Sequence, residues 1–303
     1  MSFPRLISYY RSVRAWIQGS EAHERTLELL GAFLARQVAA KQSVSSLHDV
    51  EFRVYSQWGD DGIIQWVTSQ LPSAPKRFIE FGVEDYSESN TRFLMVNNNW
   101  SGLVMDGSPE KIRRLRRRKW FWRYGLTALP CFVTCDNVDS LIADWASNRE
   151  VGLLHIDVDG NDYWLWDAIR CISPSICIME YNAVFGSERA ITIPYSANFQ
   201  RLDAHYSGQY FGASLAALTV LARKKAYALI GTNSAGNNAY YVRKDLLKGD
   251  LREVGVAEAF TRPAFCDSRN RQGRIDTQSY DQRQSSIRGL PVLDVLSGNV
   301  EPF

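Results

Sequence analysis

From residue 77 the chain alternates short apolar runs with longer polar stretches. RFIEFGV (77–83), GLVMD (102–106), CFVTC (131–135), GLLHID (152–157) and SICIMEY (175–181) have strand length and strand composition. The segments between them are long enough for helices. Such alternation predicts a parallel sheet with right-handed helical crossovers, an α/β doubly wound, Rossmann-like architecture. The series closes differently. ASLAALTVLARKKAY reads as a helix, and YALIGTN and NNAYYVR read as two strands joined through Ser-Ala-Gly. This predicts a closing hairpin with an antiparallel strand on the sheet edge. Upstream, ERTLELLGAFLARQVAAKQ (24–42) repeats apolar residues at spacings of three and four, with Glu early and Lys late, as an amphipathic helix does.

These patterns divide the chain into a helical N-terminal arm (1–50), a central α/β domain (51–250) and a C-terminal extension (251–303) that wraps or caps it. Residues 1–20 carry three arginines, no acid, and Tyr9, Tyr10 and Trp16. They read as a packing or dimerising arm, with a membrane-surface helix as the sharper alternative. The extension is rich in Arg, Gln and Ser before it turns apolar at GLPVLDVL.

Composition narrows the class. Hydrophobic residues make up 45% and charged residues 22% of 303 positions, which excludes collagen-like, disordered and disulfide-framework chains. No apolar stretch is long enough to span a bilayer, and the N-terminus has no uninterrupted apolar core before a small-residue cleavage site. Five cysteines without C-x-x-C spacing read as reduced thiols, predicting a cytoplasmic protein. The net charge of +2 hides an asymmetry: Lys111–Arg123 (KIRRLRRRKWFWR) holds eight basic residues and no acid. Without those eight, the 35 Lys and Arg fall below the 33 Asp and Glu. A solvated basic helix is the bland reading of that stretch. An anionic partner is the other: a phosphorylated glycan, a lipid-linked carrier at the inner membrane face, or nucleic acid.

The candidate chemistry gathers at strand ends. Glu80-Phe81-Gly82-Val83-Glu84-Asp85 closes the first strand, where doubly wound sheets bind ligands. Gly82 allows close backbone approach, but the segment is not GxGxxG. Its crowded acids, Glu80, Glu84, Asp85 and Glu88, would repel a pyrophosphate. That argues against NAD or ATP and for a cationic cofactor; S-adenosylmethionine fits. Asp106, closing the second strand, stands where a ribose diol would be held, with Ser108 and Pro109 starting the next helix. Asp136 and Asn137 would border an adenine ring. In His155-Ile156-Asp157-Val158-Asp159, strand alternation puts His155, Asp157 and Asp159 on one face. With Glu180 and Asn182 from the neighbouring strand, Asp157 and Asp159 offer an oxygen set for magnesium, which could hold substrate hydroxyls. The bland alternative has Asp159 and Asp162 capping the helix that follows.

YSQWGDDGII (55–64), FIEFGVEDYSESNT (78–91), NWSGLVMDGS (99–108), LLHIDVDGNDYWLW (153–166), IMEYNAVFG (178–186), IPY (193–195), YFGASLAAL (210–218) and NSAGNNAYYV (233–242) together resemble the motifs of FkbM-like class I S-adenosylmethionine-dependent methyltransferases. These act largely as sugar, polysaccharide and natural-product O-methyltransferases. The resemblance spans roughly residues 51–245 and implies a seven-stranded sheet. It implies that Glu80, Gly82 and Asp106 bind the cofactor, with Asp136 and Asn137 near the adenine, and that Gln57 and Asp60 close the pocket. The usual pattern has glycine where this chain has Tyr86. The resemblance fixes no general base.

Methyl transfer to a hydroxyl requires alignment and removal of a proton. Asp157, Glu180 and His205 are the candidate bases; Asp157 is also counted among the cofactor-facing groups. The sequence thus predicts an O-methyltransferase acting on a sugar hydroxyl of a bacterial surface polysaccharide or glycolipid, with magnesium assistance and homo-oligomerisation as further expectations. The rivals are a degenerate methyltransferase fold serving as a binding or assembly module and, less favoured without an NPPY-type clamp, a nucleic-acid methyltransferase.

Overall fold

A computed structural model describes residues 22–41 and 43–303. The arm predicted over residues 1–20, with its dimerising and membrane-surface readings, lies outside the described residues. In chain order the elements begin with α1 (22–39), α2 (Asp60–Gln70), β1 (Arg77–Phe81), α3 (Arg92–Asn98), β2 (Ser101–Asp106), α4 (Pro109–Arg116), β3 (Leu126–Pro130) and α5 (Val138–Ala146). Next come β4 (Leu153–Ile156), α6 (Asp162–Ala168), β5 (Ile176–Glu180), β6 (Ile191–Thr192), α7 (Arg201–Ala204), α8 (Leu215–Lys224), β7 (Tyr227–Thr232) and β8 (Asn238–Arg243). The chain ends with α9 (Val256–Ala259), β9 (Asp267–Arg269), β10 (Ile275–Thr277), α10 (Tyr280–Ile287), β11 (Pro291–Asp294) and β12 (Val300–Pro302).

The main sheet has seven strands in the order β3-β2-β1-β4-β5-β8-β7. β1 to β5 run parallel, and β8 is antiparallel to both of its neighbours. This is the doubly wound α/β sheet with a closing hairpin that the sequence predicts. The antiparallel strand, however, is not at the edge. The hairpin folds back so that β8 inserts between β5 and β7, leaving β7 outermost. The apolar runs are continuous because both faces are covered. Ile79, Phe81, Leu154 and Ile156 pack on the face that carries α5, α6 and α8. Phe78, Val104, Leu153 and Ile178 pack on the opposite face against α2 and α4.

β3 is a second departure. CFVTC has the stronger strand composition, yet the strand is Leu126–Pro130. β2 ends at Asp106, whose carbonyl accepts the Cys131 amide (2.9 Å), so residues beyond 131 have no partner strand. They form a loop instead. The C-terminal residues return to the body. β11 pairs with β6 and β12 in a three-stranded sheet, and β9 and β10 form a separate hairpin. α1 docks through Glu24 and Glu28, which accept the Tyr55 hydroxyl, while Arg92 pairs with Glu24. No helix among the described residues is long and apolar enough to cross a membrane.

One glycine is dictated by this packing. Gly82, just past β1, has φ +75°, and a Cβ there would lie 1.6 Å from the Asp157 carbonyl oxygen beyond β4. The close approach that demands glycine is therefore between two strand ends. Gly82→Ala should cost more than about 2 kcal/mol, because it adds a backbone clash to a left-handed φ. Urea denaturation of the purified variant beside the wild type measures that loss.

Candidate functional site

The carboxyl ends of β1, β2, β4 and β5 open into a cleft of ≈ 1180 Å³. Its floor is organised by a buried carboxylate. Glu80, on β1, accepts Ser89 Oγ (2.7 Å) and the Thr91 amide and hydroxyl on one oxygen, and the Asn90 amide (3.0 Å) and His155 Nδ1 (3.0 Å) on the other. His155 Nε2 faces Asn90 Nδ2 at 3.2 Å. Burial by itself would raise the Glu80 pKa and lower that of His155. Their mutual hydrogen bond and charge prevail: the carboxyl is held below its ordinary range and the imidazole above its own. Glu80 was expected to bind the cofactor. It borders the cleft, but its oxygens are spent on the loop after β1, so it positions that loop and does not grip a ligand. His155 is spent likewise.

The loop that Glu80 holds carries Glu84, Ser87, Glu88, Ser89 and Asn90 into the cleft wall. Tyr86, where the family pattern has glycine, keeps a left-handed backbone (φ 62°). Its side chain points away from the cleft, fully buried, with its hydroxyl 2.8 Å from Thr91 Oγ1 and its ring 6.3 Å from Trp120. The substitution thus leaves the cleft unobstructed. Asp106 stands at the β2 tip, half-buried. Its Oδ2 accepts the Glu84 amide and its Oδ1 the Ser108 amide, both at 2.8 Å, so each oxygen keeps acceptor capacity toward the cleft. Gln57 and Gly82 also line the cavity. Asp60 does too, but its carboxylate accepts Asn233 Nδ2, Asn238 Nδ2 and the Tyr240 hydroxyl, fastening the start of α2 to the β7–β8 hairpin.

Four other expected residues are displaced. Asp136 is exposed, and Asn137 folds its own loop, accepting the Thr134 amide (2.8 Å) and donating to the Phe132 carbonyl (3.0 Å). Cys131, Phe132 and Val133 line that part of the cleft instead. His205 hydrogen bonds Ser207 Oγ (2.7 Å) and packs against Tyr206 outside the cleft wall, so it is not placed as a base. Asn182 donates to the Gln209 and Phe211 carbonyls and accepts the Val184 amide. It caps a turn and does not line the cleft.

Asp159 also leaves the expected metal set. Strand alternation stops at Ile156, and Asp159 adopts φ 57° in the turn beyond, exposed and paired with Arg201 (2.9 Å). Asp162 takes its place. Its carboxylate accepts the Val158 and Gly160 amides (both 3.0 Å), folding the turn, and brings an oxygen into a group with Asp157 and Glu180 whose members lie within 4.8 Å of one another. Burial and the neighbouring acids push Asp157 up to about 6 and Asp162 up to about 7, and hold Glu180 well above the carboxylate range. The i, i+5 spacing of the two aspartates in DVDGND was the available signal for Asp162.

Four cations of the basic stretch are engaged by the protein itself. Lys111 pairs with Glu84 (2.7 Å), Arg118 with Asp85 (3.0 Å), Arg114 with Glu110 (3.2 Å), and Arg116 Nε donates to the Ala128 carbonyl (3.0 Å).

No protein-family model and no curated protein matches the chain. Solved structures similar to it include the N-terminal domain of EvdMO1 with SAH bound, at 11% identity and TM-score 0.39, covering 70% of this chain and 93% of that one. The selenomethionine-substituted CurJ carbon methyltransferase is similar at 10% identity and TM-score 0.36, covering 76% and 70% respectively.

The Glu80–His155 pair generates a pH-dependent prediction. In Glu80→Gln the buried imidazole loses its hydrogen-bonded counter-charge and keeps only the attraction of Asp157 and Asp60, so burial, the largest influence on it, lowers its folded pKa below the unfolded value near 6.5. The unfolded chain then binds the extra proton as pH falls, and folding weakens. In the wild type the raised imidazole pKa makes the pair fully stabilising in that range. The variant should lose about 3 kcal/mol at pH 8 and more at pH 6. Urea titrations at both pH values check the size and the direction.

Proposed function

We propose that the chain is an S-adenosylmethionine-dependent O-methyltransferase whose acceptor is a sugar hydroxyl of a polysaccharide or glycolipid. The observation that carries this reading is the sign of the cleft. Glu84, Glu88, Asp106, Asp157, Asp159, Glu180 and Asp203 line it; of the lining cations, Lys111 and Arg201 are paired with Glu84 and Asp159, and Arg269 donates to the Gly273 carbonyl, so acids outnumber cations. A nucleotide pyrophosphate would meet repulsion at the switch point, whereas a sulfonium with an α-amino group meets attraction. Asp106 offers outward acceptor capacity at the β2 tip for a ribose diol. Ser207, Gln209, Asn237 and Ser268 also line the cleft, a polar lining that suits a polyhydroxylated acceptor.

In this reading the cleft walls align the acceptor oxygen with the methyl carbon. The oxygen attacks as the carbon–sulfur bond breaks and its electron pair returns to sulfur. The hydroxyl proton passes to the carboxylates at the ends of β4 and β5. Asp157, with a pKa near 6, is ionised at neutral pH yet basic enough to accept it. The basic stretch gives less support to a nucleic-acid substrate, since Lys111, Arg114 and Arg118 pair with the protein's own acids.

Titration calorimetry with S-adenosylmethionine tests the cofactor. The wild type should bind with micromolar affinity, and Asp106→Ala should bind at least about tenfold more weakly, the equivalent of one lost charge-assisted hydrogen-bond pair. A well-folded wild type that binds none refutes the reading.

A further inference from the structure

The nearest positive charges to the acidic cluster at the β4 and β5 ends are His155 and Arg201, which attract Asp157 and Glu180 although their own ion pairs are with Glu80 and Asp159. Asp157, Asp162 and Glu180 nevertheless bring three carboxylate oxygens within 4.8 Å of one another. Such a group is costly to bury unless something compensates it. A second observation bears on what that is. Glu180 is only 9% exposed, and its Oε2 has no hydrogen-bond partner among the described residues. Asn238, 3% exposed, sits directly opposite Glu180 in the β5–β8 register, so the two side chains share a face of the sheet. Its amide nitrogen donates to Asp60, which fixes the amide's orientation, and its Oδ1 is likewise without a partner. Both residues line the cleft. With its carboxyls ionised, this corner offers carboxylate and amide oxygens and no donor to satisfy them.

We infer that Asp157, Asp162 and Glu180 bind a hard divalent cation, magnesium or manganese, with Asn238 Oδ1 facing the same site. Oxygen ligands without nitrogen or sulfur select this class of ion over zinc or copper. The set differs from the one read off the sequence: Asp162 and Asn238 replace Asp159 and Asn182. Asp162 suits the role because its amide contacts lock its carboxylate in place while leaving each oxygen a lone pair. The cation site stands on the geometry alone; its use in the reaction rests on the methyl-transfer reading. In that reaction the ion would hold an acceptor hydroxyl beside the carboxylates and acidify it, and the remaining coordination positions would favour acceptors with a second adjacent oxygen.

Manganese is the probe. Chelator-treated full-length protein is titrated with Mn²⁺ at pH 8, the free ion being followed by electron paramagnetic resonance, with and without S-adenosylmethionine. The wild type should retain one Mn²⁺ per chain, displaceable by Mg²⁺, and its Tm should rise with the metal. Glu180→Gln and Asp157→Asn should each weaken retention at least about tenfold, while Asp159→Asn should stay within about threefold, since its charge acts only at a distance. Glu180→Gln should also fold at least as stably as the wild type without metal, because it removes a repelling charge, yet gain no Tm from manganese. If wild-type protein retains no Mn²⁺ with or without the cofactor, the site is refuted, even where calorimetry shows S-adenosylmethionine bound. The site is equally refuted if Asp159→Asn loses the metal while Glu180→Gln keeps it. A variant that fails to fold leaves the wild-type titration and its Tm shift to decide.

Discussion

The cleft depends on one buried charge. Glu80 projects from β1, an interior strand of the sheet, where desolvation of a carboxylate is expensive, and it is tolerated only because five donors converge on it. Four of those donors belong to Ser89, Asn90 and Thr91, so the same interaction fixes the return of the β1 loop into α3. The fifth, His155, ties that loop to β4. The loop in turn delivers the Glu84 amide to Asp106 at the tip of β2. Three adjacent strand ends are thereby locked into one geometry by a residue that need not touch any ligand.

A similar economy governs the neighbouring strands. Asp60 uses its carboxylate to bind α2 to the loop before β8, and Asn233 Oδ1 gathers the Gly236, Asn237 and Asn238 amides. These contacts place Asn238 across from Glu180. The cleft wall thus contains two kinds of carboxylate. Glu80 and Asp60 are saturated by internal donors and behave as framework. Asp157, Glu180 and Asp106 retain capacity toward the cavity, and they stand at the ends of β4, β5 and β2, where a ligand can reach them. Counting donors separates the two kinds, although all five are acids at strand or helix ends in the sequence.

That distinction marks what could be read from the chain without its structure. β1, β2, β4 and β5 were legible because strands covered on both faces must be apolar throughout, and apolar runs of that length are too short to be buried helices. β3 was not, because an edge strand is chosen by the partner available to it: β2 runs out at Asp106, and the β-rich CFVTC has nothing to pair with. Gly82 was correctly singled out but for a different neighbour, the Asp157 carbonyl. Asn182 and Asp159 were misplaced by one assumption, that strand alternation continues past the last paired residue. β4 stops at Ile156 and β5 at Glu180, and beyond those points turn geometry decides where side chains go.

The same assumption hid Asp162, whose role in folding the turn before α6 gives no hint of what its remaining lone pairs face. A residue that folds a turn through backbone amides would ordinarily be assigned to structure alone. Here the contacts with the Val158 and Gly160 amides occupy one direction on each oxygen, and the turn they fold is what carries that carboxylate to Asp157 and Glu180. Folding a turn and ligation are therefore compatible on one side chain, and the first supplies the rigidity that the second needs. The acids of this cleft are then neither redundant nor uniformly repulsive. One group is neutralised by the fold, and the other leaves a localised negative charge at the ends of β4 and β5, beside the Asp106 end where a cationic cofactor would enter.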